Sequence, residues 1–319
     1  MNGHPGKVEI FAPFGAAYEW MMAMLFRPFD VGRWLTIAFA AFLAGSVGGG
    51  GGNFGRLGRF GEGDWKYSAT THGNAPVDWS TWITALIVCG VLIALVLAVA
   101  WMWVSSRGRF IFTDCIVKNR AAIVEPWREF RREGNSYFLF LLMFGFGIVL
   151  LTTIFIVAIA VPLGLFSDKP HGAAGVGFGV LALIIFGFIW LVGILFFALV
   201  SHFMVPVMYR RRCLAQEAFL DVTKLIFANP VPFLLFVLFG IALVMALAVI
   251  GMLVACMTCC IGGLPYISTV LLLPAFVWLA AFKLFFLRQF GDAYDVWATS
   301  GVVLPVSEPS VPPPITPGQ

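Results

Sequence analysis

Apolar positions in this chain gather into long unbroken runs, not into the alternating or half-polar patterns of a water-soluble fold. A helix needs roughly 20 such residues to cross a ~30 Å hydrocarbon layer. Runs of that order lie near 29–48, 83–104, 136–160, 176–200, 233–257 and 264–285. They predict an all-α membrane protein, a six-transmembrane helical bundle. The first run carries Asp30 and Arg33 at its start and ends in Gly48–Gly52. The fourth stays apolar as far as Tyr209, and Pro206 within it predicts a kink. Gly145, Gly147, Gly240 and Ala242 are small enough to let neighbouring helices approach closely.

The segments between the runs have a different period. In 213–227, Leu214, Ala218, Val222 and Leu225 form a line opposite Glu217, Asp221 and Lys224. In 115–131, Ile116, Ile123, Trp127 and Phe130 recur among Lys118, Arg120, Arg128 and Arg131. A weaker version runs through Ile10, Phe14, Met21 and Leu25. These spacings predict three cytoplasmic amphipathic helices lying in the headgroup plane. The order interfacial helix, span, outer loop, span then recurs, which suggests a threefold internal repeat. Val104-Ser105 falls on Val200-Ser201 at an offset of 96, and Leu139-Phe140 falls on Leu235-Phe236.

Composition makes lipid the required solvent. The chain is 61% hydrophobic and only 11% charged, too few charges to coat a soluble fold of this size. A net charge of +4 is too small to argue for nucleic acid. The placement of the cations says more. With the N-terminus inside, sixteen Lys and Arg face the cytoplasm, while Arg56, Arg59, Lys66 and Lys169 face out. That asymmetry predicts a multi-pass protein of the cytoplasmic (inner) membrane with both termini cytoplasmic. The mixed stretch before the first run has neither the charged start nor the small-residue site of a cleaved signal, so that run is expected to remain as a span.

Three regions follow. Residues 1–28 form an N-terminal interfacial segment. Residues 29–290 form the membrane domain, with a Gly-rich outer loop at about 46–80. Residues 291–319 form a Pro-rich tail expected to lack a core. The glycines of the loop are not a phosphate loop, because no Lys-Ser or Lys-Thr follows them.

Candidate chemistry is sparse. Cys256, Cys259 and Cys260 form C-x-x-C-C at the outer end of the fifth span. That spacing suits a metal, a redox pair or a disulfide, but no His accompanies it, and free cysteine packed between helices is the ordinary state. His202 is the one histidine on a helix, near the inner end of the fourth span, where an ionisable group is a candidate for function. No Asp or Glu lies mid-span, which argues against proton- or sodium-coupled transport. Asp114, Glu125 and Asp221 are expected to pair with nearby Arg and Lys. Asp292 and Asp295 are too few for a cation site. No catalytic motif, cofactor or metal site is read. Arg131, Arg132, Arg210, Arg211 and Arg212 are the candidate contacts to anionic lipid or a partner.

The segment Leu25-Phe26-Arg27-Pro28-Phe29 through Arg33-Trp34-Leu35, with Pro126-Trp127 later on, resembles the opening of a broad set of uncharacterised bacterial membrane proteins. These are similar in layout to the membrane domain of glycerophosphodiester phosphodiesterases. The hydrolytic chemistry of those relatives resides in a soluble domain that has no counterpart here, so the resemblance implies a membrane-embedded helper and carries no site residues. The expectation is a non-enzymatic protein that organises membrane lipid or a protein partner, including a second copy of itself. The alternative is a transporter or channel for an apolar or amphipathic solute.

Overall fold

A computed structural model describes residues 9–45, 79–160, 173–257, 265–298 and 301–302. All regular structure in them is helical: α1 (Phe11–Phe26), α2 (Val31–Leu43), α3 (Trp79–Val117), α4 (Val124–Glu129), α5 (Arg131–Ala160), α6 (Ala173–Arg211), α7 (Ala215–Ala228), α8 (Pro230–Met257), α9 (Pro265–Leu271) and α10 (Leu273–Arg288). Four of these contain stretches long and apolar enough to cross a membrane: Thr84–Val117, Arg131–Val157, Gly179–Arg211 and Pro230–Leu253. The helix α3 has 39 residues, about 58 Å at 1.5 Å per residue, and so exceeds the hydrocarbon layer.

Burial divides each long helix into two zones. Leu86–Leu97, Met143–Val157, Val180–Leu195 and Val244–Leu253 expose most of their large apolar side chains. The opposite ends carry the buried side chains: Phe110–Val117, then Phe130 and Tyr137, then Val200 and Phe203–Tyr209, then Phe233 and Phe236. Apolar surface on this scale is tolerable only where lipid covers it.

The packed zone centres on α10, where Leu273, Val277, Ala281, Phe282 and Leu284–Leu287 are all buried. Phe282 and Phe286 join Phe203, Phe233 and Phe236 in an aromatic stack with centroids 4.6–6.0 Å apart. α1 runs antiparallel along α10. Gln289 exchanges two hydrogen bonds with the Glu9 backbone at 2.8 Å, and Trp278 Nε1 donates to the Phe14 carbonyl at 3.1 Å. Trp20 Nε1 reaches the Ile116 carbonyl at the end of α3. The first helix thus packs on the last, while α4 packs on α3 and α7 on α6.

Several details differ from the reading of the sequence. α2 covers only Val31–Leu43 of the first run, capped by Asp30, whose Oδ1 accepts from the Gly32 N–H at 2.8 Å. The segment 115–131 is not one helix. Asn119 adopts φ 49°, and the Arg120 N–H bonds the Cys115 carbonyl at 3.2 Å, a left-handed cap that ends α3. Six residues of helix, α4, follow. In α7 the buried line is Ala215, Ala218, Val222 and Ile226, one position round from Leu214 and Leu225. α6 continues through Pro206 to Arg211. Gly145, Gly147 and Gly240 face open space. The close approach falls instead at Gly108, where a Cβ would lie 2.5 Å from the Leu43 carbonyl carbon.

The sixth run is two helices, broken at Leu272. Pro274 has no N–H to give the Val270 carbonyl, so the ladder opens there. Trp34 Nε1 supplies the missing donor at 3.1 Å. Trp34→Phe is expected to cost about 1 kcal/mol of thermal stability in detergent. In a Pro274→Ala background the same change is expected to cost less than half as much, because alanine brings the backbone N–H back. Equal losses in the two backgrounds would show that the indole has no such role.

Candidate functional site

Polar side chains concentrate where the packed ends of α3, α5 and α6 meet α4. Asp114 belongs to α3 among Phe110, Ile111, Cys115 and Ile116, and it is fully buried. A carboxylate in such a place must be neutralised and hydrogen-bonded. Lys118 Nζ, one turn on, lies 2.8 Å from Oδ1. Arg120, turned back by the Asn119 cap, donates to Oδ2 through Nε at 3.0 Å and Nη2 at 2.9 Å. The Tyr209 hydroxyl of α6 donates to Oδ1 at 2.8 Å.

The network continues outward. Arg120 also reaches Glu125 at 2.7 Å, and Lys118 reaches Glu129 at 3.3 Å. Burial alone would lower the Arg120 pKa, but its bonds to Asp114 and Glu125 outweigh that and hold it above the ordinary value. Arg212, left-handed at φ 53° beyond α6, pairs with Glu129 and lies 3.7 Å from Glu133. Its guanidinium sits 4.0 Å from the Phe130 ring centroid, and Phe130 stacks on Tyr209 at 4.9 Å. Each acid here already serves a base, so the arrangement works as a latch between helices.

A second group lies beside it. Arg107 is buried with no carboxylate paired to it among the described residues. Asn135 Oδ1 accepts from its Nη2 at 2.7 Å, and its guanidinium lies 4.3 Å from the Trp103 ring centroid and 5.1 Å from that of Trp127. Gly134 admits it, since a Cβ there would meet Arg107 Cγ at 2.9 Å.

Residues 10–307 match the model described as a family of unknown function, DUF7544. The chain belongs to DUF7544. The match takes in every helix from α1 to α10. No curated protein and no solved structure matches the chain.

Within this DUF7544 chain the residues singled out from sequence are dispersed. Arg131 and Arg132 are exposed at the start of α5. Arg211 pairs with Asp221 and lies 5.3 Å from the Tyr294 ring centroid, and Arg212 joins the latch. Arg210 lies at the end of α6 and is half-buried. His202 is exposed on α6 beside Phe203 and Phe236. Cys256 is a free, exposed thiol, and Cys259 and Cys260 lie outside the described residues. Among the described residues no three His, Cys, Asp or Glu side chains cluster as metal ligands. Burial first, then the nearby Glu217, pushes the Cys213 thiol up, so it stays protonated near neutral pH. The pairing of Asp114 with Arg120 follows the expectation from sequence. Its fourth hydrogen bond, from Tyr209, and the Arg107–Asn135 group do not, because both join residues far apart in the chain.

Asp114→Asn is expected to cost about 3 kcal/mol, since it leaves Arg120 and Lys118 without their shared acceptor charge. Tyr209→Phe removes one hydrogen bond and is expected to cost about 1 kcal/mol. Chemical unfolding in detergent measures both. A loss for Asp114→Asn no larger than that for Tyr209→Phe would contradict the latch.

Proposed function

We propose that this DUF7544 protein is a non-enzymatic, multi-pass protein of the inner membrane that organises anionic lipid along its cytoplasmic face. One observation carries the reading. Among the described residues, exposed cations without an ion pair recur on or beside the short helices: Arg27 after α1, Arg128, Arg131 and Arg132 around the α4–α5 junction, and Lys224 on α7. At the α4–α5 junction the acids Glu125, Glu129 and Glu133 are engaged by Lys118, Arg120 and Arg212, and Asp221 of α7 by Arg211, while Glu19 of α1 and Glu217 of α7 are exposed outside any of these pairs. The charge left over is positive at the α4–α5 junction, where Arg128, Arg131 and Arg132 face outward.

The six-span arrangement, in three units of short helix, span and span, belongs to the same proposal. The recurring packing of α1 on α10, α4 on α3 and α7 on α6 supports it. The positive-inside asymmetry supports cytoplasmic termini. The aromatic stack of Phe203, Phe233, Phe236, Phe282 and Phe286 fills the centre of the packed end, which favours this reading over a transporter with a hydrated path there.

Basic groups at an anionic surface contribute about 1 kcal/mol each. The variant Arg128→Gln/Arg131→Gln/Arg132→Gln is therefore expected to lower the ratio of phosphatidylglycerol to phosphatidylcholine held by the protein severalfold, measured by native mass spectrometry from mixed nanodiscs. Arg211→Gln/Arg212→Gln is expected to lower stability and leave that ratio nearly unchanged. An unaltered ratio in the triple variant would sink the proposal.

A further inference from the structure

A second set of cations, outside the latch, lies around Tyr137 and the packed part of α10. Arg109 of α3 donates from Nη1 to the Tyr137 hydroxyl at 2.6 Å, and that hydroxyl lies 3.4 Å from the Ser201 carbonyl of α6. The next residue, His202, has its ring centroid 6.4 Å from that of Phe236. Phe236 stacks on Phe282 at 5.1 Å, and Lys283 follows Phe282 in α10. The charges of Lys283 and Arg109 both bear on His202, and that of Arg109 bears on Lys283.

No carboxylate among the described residues pairs with Arg109 or Lys283, although both are half-buried in an apolar bundle. The contrast with the latch is direct, because there every base has an acid. Cations held together in such surroundings repel one another and lose hydration unless an anion joins them. The site also opens sideways. His202 is exposed, and just beyond it α6 passes from packed Val200 to the exposed apolar face that begins at Leu195. Across from it, Leu235 and Leu238 of α8 are exposed.

We propose that Arg109 and Lys283, with His202 and the Tyr137 hydroxyl beside them, bind a phosphate group at this lateral opening. A phospholipid supplies that phosphate with its chains along α6 and α8, or inorganic phosphate supplies it alone. This site is separate from the exposed arginines of α4 and α5 and does not depend on their role.

The test uses the full chain in neutral detergent, with melting temperature and native mass spectrometry as readouts. The probes are phosphatidylglycerol, phosphatidylcholine and inorganic phosphate. The expected result is one retained phospholipid per chain and a rise in melting temperature. Arg109→Gln/Lys283→Gln should weaken this by about tenfold or more. Lys283→Met alone should give a smaller loss. Without any phosphate the double variant should melt no lower than the parent, because it removes uncompensated charge. The arginine triple variant of α4 and α5 should keep the single lipid while losing bulk selectivity, so the two proposals fail independently. Stabilisation by inorganic phosphate but by neither lipid assigns the site to free phosphate. No response to any probe, or a double variant that responds like the parent, overturns it.

Discussion

Burying one carboxylate constrains much of the packed end of this bundle. Asp114 sits among aromatic and aliphatic neighbours where an unpaired charge would cost several kcal/mol. Its partners therefore have to come from three places: Lys118 at the end of α3, Arg120 beyond the Asn119 cap, and Tyr209 from α6. Satisfying Asp114 fixes where α3 ends, how the chain turns into α4, and how α6 lies against α3. The outer shell of Glu125, Glu129 and Arg212 follows from that placement.

The same neutralisation leaves other cations over. Arg120, Lys118, Arg211 and Arg212 are used inside the protein, whereas Arg128, Arg131 and Arg132 are not. Read along the chain, all these basic residues carry similar weight, because a charge count cannot see pairing. The structure separates them: of the five arginines named from sequence, Arg211 and Arg212 are paired within the protein, while Arg131 and Arg132 stay exposed at the α4–α5 junction beside Arg128.

Much of the helical pattern was legible because it depends on local hydrophobicity. The four long helices lie where continuous apolar runs put them, and Asp30 marks the start of α2. What the sequence hid depends on partners far away. Pro274 lies in an apolar run and looks tolerable there, but its effect is settled by Trp34, 236 residues from the carbonyl of Val270 that Pro274 leaves free. On α7, Ala218 and Val222 are buried where the periodicity put them, but the ends of the line shift by one position. Leu214 is exposed and Leu225 half-buried, while the smaller Ala215 packs inside with Ile226. Where lipid is the solvent, size and fit decide which side faces protein, and hydrophobicity does not. The glycines show the same thing. Gly108 and Gly134, next to charged residues, matter because backbone or Arg107 passes beside them, whereas Gly145 and Gly240 in apolar runs face open space.

The central claim is that each long helix has a packed end and an exposed apolar end covered by lipid, with ion pairs holding the packed ends of α3, α5 and α6. Single spin labels placed in turn from Arg131 to Val157 along α5, in lipid bilayers, test it most directly through collision with oxygen and with a water-soluble nickel chelate. The account predicts high oxygen and negligible nickel accessibility from Met143 onward. It predicts nickel accessibility at Arg131 and Arg132, with the crossover between Asn135 and Met143. Nickel accessibility along Met143–Val157 would place that end in water and contradict the account.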